Sequence, residues 1–164
     1  DHLAFIVAVG IAAAFTAQRY TLPLVFILAT VAGTILHINA VDLPIVETVI
    51  AGSVVLAGGL ILSGQKIPAG VLALLFAVGG IFHGYAYGEA IIGAETTPLV
   101  TYLAAFALVQ YVIAIAAGRL VVETIGAGRK ALENMPYRIT GGMIAGAGLF
   151  ILGSQALAAL GLAA

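Results

Sequence analysis

Three histidines, seven carboxylate side chains and no cysteine set the reactive chemistry of this 164-residue chain. Thiolate metal sites, disulfides and cysteine nucleophiles are excluded. Two methionines, Met135 and Met143, are too few for a thioether path suited to Cu(I). Imidazole and carboxylate without sulfur suit Ni2+ or Co2+ as substrate, and also Zn2+ or Mn2+. The candidate ligands are Asp1, His2, His37, Glu47 and His83, with Tyr85, Tyr87, Glu89 and Glu95 following His83. An ionisable group such as Glu47 or His83 at an apolar segment needs a partner or a role, and a metal ion between them supplies both. The plainer alternative makes Glu47 interfacial and has His83 hydrogen-bond a backbone carbonyl at a glycine-rich helix end, since a lone terminal His is commonly polar trim.

The elements that must hold these residues are helices in lipid. The chain is 63% hydrophobic and 8% charged, whereas a soluble domain carries about a quarter charged residues. Apolar runs over residues 3–17, 22–38, 45–63, 69–87, 99–122 and 139–162 are continuous rather than alternating, which predicts helices and argues against strands. The breaks between them carry turn chemistry, and proline closes most of them. The expected fold is all-α: a polytopic membrane bundle of about six helices forming one domain over residues 1–164. The first run is too short for a core of about 30 Å at about 1.5 Å per residue. With no initiator Met and no signal sequence ahead of Asp1, this predicts that the first helix begins upstream.

Charge placement orients the bundle. Arg19, Lys66, Arg119, Arg129, Lys130 and Arg138 all fall at the ends of the first, third and fifth connections, which share one face when there are six spans. The positive-inside rule makes that face cytoplasmic and puts both termini outside. Asp1, His2, His37, Asp42, Glu47, His83, Glu89 and Glu95 then belong to the outer half, where they form the candidate entrance for a metal. Gly80, Gly84 and Gly88 recur every four residues, as do Gly142 and Gly146, and such faces allow helices to approach closely.

Other function classes find little support. The net charge of −1 and the absence of a basic run leave no case for nucleic acid. No GxxxxGK[ST] loop is present to couple to ATP. The lysines, Lys66 and Lys130, both lie in connections, so no buried amine is available for a retinal Schiff base. No nucleophile–base pair is visible, and the chain is not expected to be an enzyme. A haem held by His37 and His83 would lack the second pair needed to carry electrons across a bilayer. The expected partners are the lipid bilayer and a metal ion, with a homo-oligomer or a larger membrane complex also compatible with the glycine faces. A non-transporting scaffold subunit of such a complex is the alternative to transport.

Several segments resemble a known family. Asp1-His2-Leu3 followed by AFIVAVGIAAAF, then IVETVIAGSVVLAGGLIL and FHGYAYGE, are similar in order and spacing to the HupE/UreJ hydrogenase and urease accessory membrane proteins. The resemblance implies a six-helix secondary permease for nickel or cobalt, made with a cleaved signal peptide. It also implies that Asp1 and His2 end the family's HPxxGxDH motif, that Glu47 is its third-helix acid, and that His83 is the first His of FHGxAHG. Tyr87 stands where the second His of that motif is usual, and VQYVIAIAAG lacks a fifth-helix histidine. His37 matches no family position.

Overall fold

The structure is a computed structural model that describes residues 1–89 and 96–162; Glu95 lies outside them. Each of the six apolar runs forms one helix: α1 (His2–Ala14), α2 (Thr21–Ile38), α3 (Val46–Ser63), α4 (Ala69–Glu89), α5 (Thr96–Ile125) and α7 (Met135–Ala159). A short α6 (Arg129–Leu132) occupies the basic connection before α7. Five helices, α2 to α5 and α7, are long and apolar enough to cross a membrane. The chain is therefore an integral membrane protein with a polytopic helical bundle.

Helix α1, at 13 residues, falls below that length, but it occupies the centre of the bundle. From Ala4 to Ala14 it is apolar all round and buried or half-buried, as a central helix must be. Phe5, Ala8, Val9 and Ala13 have no accessible surface, and α1 touches α2, α3, α4, α5 and α7. Around it, α2 packs on α4, α3 on α7, and α1 itself on α5.

Glycine sets how closely these pairs approach. A Cβ on Gly84 would strike the Thr30 backbone, one on Gly58 the backbone of Gly141 and Ala145, and one on Gly10 the Ala114 carbonyl. Lipid tails are as apolar as the helix surfaces, so close backbone packing and interhelical hydrogen bonds must hold the pairs together. One such bond runs from Thr34 Oγ1 to the Gly84 carbonyl at 2.8 Å. The expected Gly80–Gly84–Gly88 face meets Phe26, Thr30 and His37 of α2. The expectation for α7 needs correction, because Gly146 has open space and Gly142 meets only a Leu62 methyl; Gly141 and Gly148 make the contact with α3 instead.

The perimeter faces lipid. Leu108, Val109, Val112 and Leu120 of α5 and Met143, Leu149 and Phe150 of α7 are all exposed. At one end of the bundle Arg138 Nε donates to the Leu62 carbonyl at 2.9 Å. Gly64 closes α3 there in the left-handed conformation, at φ 65°, beside Leu132 and Arg138.

Candidate metal centre

At the N-terminus of α1 the Asp1 carboxylate accepts a 2.6 Å bond from the His2 backbone N–H, capping the helix. That cap fixes the first turn and directs His2 toward α4. His83 sits six residues before the end of α4, about 9 Å in from it. The two rings meet with Nδ1 to Nδ1 at 3.0 Å. Ser53, one turn into the buried stretch of α3, lies with Oγ 3.0 Å from His83 Nε2.

The Ser53 hydroxyl favours one arrangement of protons along this chain. Ser53 donates its single proton to the Ile50 carbonyl at 2.6 Å, so its oxygen can only accept from His83. His83 Nε2 therefore carries the proton, and its Nδ1 presents a lone pair to His2. In the neutral pair His2 Nδ1–H fills that gap, which leaves His2 Nε2 as a bare acceptor. His2 Nε2 is indeed buried with no hydrogen-bond partner, and so are Gln110 Oε1 and the Tyr87 hydroxyl. Gln110, 2% exposed, lies near His2. A buried unsatisfied group costs about 1–3 kcal/mol.

Aromatic rings enclose the pair. Phe5 stacks on His83 with centroids 4.6 Å apart, and Tyr87 meets the His2 ring edge-on at 4.3 Å. Phe106 lies over the other side of His2 at 6.0 Å. Beside Tyr87 and Gln110 is a cavity of about 10 Å³, close to the smallest that admits one water.

Among the sequence-predicted ligands the structure brings together His2 and His83, with Asp1 behind His2 as its helix cap. Glu47 is exposed on the first turn of α3, where its backbone carbonyl accepts from Gln155 Nε2 at 3.3 Å. It lies six residues before Ser53, about 9 Å along the helix. His37 packs against Tyr85 at 4.5 Å between α2 and α4, apart from the pair. Among the described residues no three His, Cys, Asp or Glu side chains are grouped to hold a metal ion. Ser53 and Gln110 complete the arrangement, and sequence reasoning passed over both. Gln110 left a signal, as a lone amide in an otherwise apolar run; Ser53 left almost none, since a membrane serine commonly bonds its own helix.

A profile of the family described as HupE / UreJ protein matches residues 1–151. Protein HupE of Rhizobium leguminosarum bv. viciae is 30% identical over 159 residues, covering 93% of this chain and 78% of that protein. No solved structure matches. Matched by the profile from its first residue through most of α7, the chain belongs to the HupE/UreJ family.

Proposed function

We propose that this protein is a secondary permease for a divalent transition metal, Ni2+ or Co2+, and that the His2–His83 pair is the position the ion occupies in transit. The observation that carries the reading is the meeting of two Nδ1 atoms at 3.0 Å, with Ser53 Oγ behind the other nitrogen of His83 and the other nitrogen of His2 buried without a partner. Two cis ligands of a metal with bonds of about 2.1 Å lie about 3.0 Å apart in square-planar or octahedral geometry. A metal ligated by both Nδ1 atoms puts the His2 proton on Nε2, where Gln110 Oε1 accepts it. His83 Nε2–H already donates to Ser53. Each imidazole is then oriented by an oxygen behind it, the arrangement metal-binding histidines generally adopt.

A protonated pair satisfies the same groups. An imidazolium at His2 donates Nδ1–H to His83 and Nε2–H to Gln110, leaving no lone pair for the metal. Proton and metal therefore compete for one position, which supports exchange of the ion against protons without ATP. Two nitrogens make a weak site for a divalent ion, and a transported ion must leave as readily as it binds. With the basic connections cytoplasmic, the ion arrives from outside past the exposed Glu47 and Asp42, whose charge raises cation concentration at the mouth.

The test is uptake of Ni2+ and Co2+ into cells or proteoliposomes by the wild-type protein and by His83→Ala and His2→Ala. Uptake falls to background in both variants while membrane abundance is unchanged. Wild-type uptake in His83→Ala would remove the pair from the transport path.

A further inference from the structure

At the opposite end of the bundle from the imidazole pair, a cavity of about 210 Å³ opens between α1 and α5. Gly10 and Gly118 bring the two helices into backbone contact there. Past that contact α1 stops at Ala14 while α5 runs on to Ile125, so the helices leave a wedge open to the lipid-facing perimeter. The floor of the wedge includes Ala14, Ile115 and Val122, and its mouth carries Arg19, Tyr20, Arg119 and Glu123.

The mouth is organised around Tyr20. The Arg19 guanidinium lies 5.1 Å over its ring, Arg119 hydrogen-bonds its hydroxyl, and Tyr111 donates to its backbone carbonyl at 3.3 Å. The hydrogen bond from Arg119, together with the charge of Arg19, holds the phenol below its ordinary pKa, as expected where positive potential prevails. Two permanently charged guanidiniums stand against the single carboxylate of Glu123, a net positive mouth above an apolar floor.

That pairing selects an amphiphile. Guanidinium groups bind phosphate oxygens through forked hydrogen bonds, and basic pockets between membrane helices hold anionic head groups. A free phosphate would use the mouth and leave the floor to water, whereas an uncharged or zwitterionic lipid would cover the floor and leave the charge unmatched. We propose that the wedge is a binding site for an anionic glycerophospholipid, its phosphate on Arg19, Arg119 and the Tyr20 hydroxyl and its glycerol and first acyl carbons on Ala14, Ile115 and Val122.

The test is thermal unfolding of the full chain in mild detergent with added phosphatidylglycerol, phosphatidylcholine or inorganic phosphate. A ligand of the folded state raises Tm by mass action. Phosphatidylglycerol is expected to raise Tm by several degrees, and the other two to leave it unchanged. The double variant Arg19→Gln/Arg119→Gln loses that shift, while Lys130→Gln, on the exposed basic connection, keeps it. An equal shift with phosphatidylcholine, a shift with inorganic phosphate alone, or a full shift in the double variant overturns the proposal. Should the double variant not fold, Val122→Trp fills the floor with the charges intact. Loss of the phosphatidylglycerol shift in that variant supports the site, and its retention overturns it.

Discussion

His2 of α1 and His83 of α4 meet through like atoms, Nδ1 to Nδ1 at 3.0 Å, inside a box of aromatic rings. Like acceptors approach so closely only with a cation or a proton between them. With Ser53 donating to Ile50 and accepting from His83, Nδ1 is the nitrogen of His83 left to share it. Each predicted behaviour of the site rests on that sharing.

In the proposed site Ser53 acts on a bound metal through His83. In Ser53→Ala the acceptor behind His83 Nε2–H is gone, the ring is free to turn, and its lone pair is no longer held toward His2. Loss of such a partner weakens metal affinity by about 10–100-fold. The expected result is a rise of that size in KM for Ni2+ uptake, with much smaller change in the maximal rate. An unchanged KM would mean that Ser53 only packs.

Gln110 separates function from folding. Its Oε1 is buried without a partner, so replacing it by an apolar group removes an unsatisfied acceptor rather than a bond, a change that is nearly neutral or stabilising for the fold. The metal-bound tautomer of His2 proposed above, however, needs that acceptor. Gln110→Leu is expected to keep or raise Tm while weakening uptake affinity by about tenfold or more. A parallel loss of both quantities would make Gln110 a structural residue.

The helices were legible in the sequence because each apolar run is unbroken and ends in turn residues, and observed ends such as Ser63 and Ile38 coincide with the expected ones. The imidazole pair was not legible. It depends on the register of α1 against α5 and of α4 against α2, which backbone contacts at Gly10 and Gly84 set across many residues of sequence. Glu47 was the more evident partner for His83 because it carries charge. At the first turn of α3 a long side chain can reach water, and there Glu47 is exposed while Ser53, deeper on the same helix, meets the histidine. The α7 glycines show the same limit: spacing identified a GxxxG pair, but which of the adjacent glycines faces α3 depends on how the helix is rotated.

Proton competition has a definite sign. Metal takes lone pairs that protonation removes, so the site is available when both rings are neutral and is lost as pH falls. Where one imidazolium must lose its proton for each ion bound, apparent affinity falls about tenfold per unit of pH. Uptake at sub-saturating Ni2+ is therefore expected to be level with pH while both buried rings are neutral, and to decline, with release of protons to the outside as the ion binds, only once external acidification charges one of them. An uptake rate that increases as external pH falls would contradict exchange at this pair and would favour co-transport of protons.

The close approach of α2 and α4 yields a prediction about the frame rather than the chemistry. A methyl group on Gly84 meets the Thr30 carbonyl and Cα directly, with no flexible side chain able to give way. Overpacking of this kind costs about 1–3 kcal/mol, and here it also pushes apart the helix carrying His83 and the one that accommodates it. Gly146, on α7, has open space at the same position, and alanine there gains about 1 kcal/mol of helix propensity. Gly84→Ala is thus expected to lower Tm and reduce uptake together, whereas Gly146→Ala leaves uptake intact and Tm equal or higher. If the two variants behaved alike in thermal unfolding, the α2–α4 contact could not be what holds His83 in register with His2.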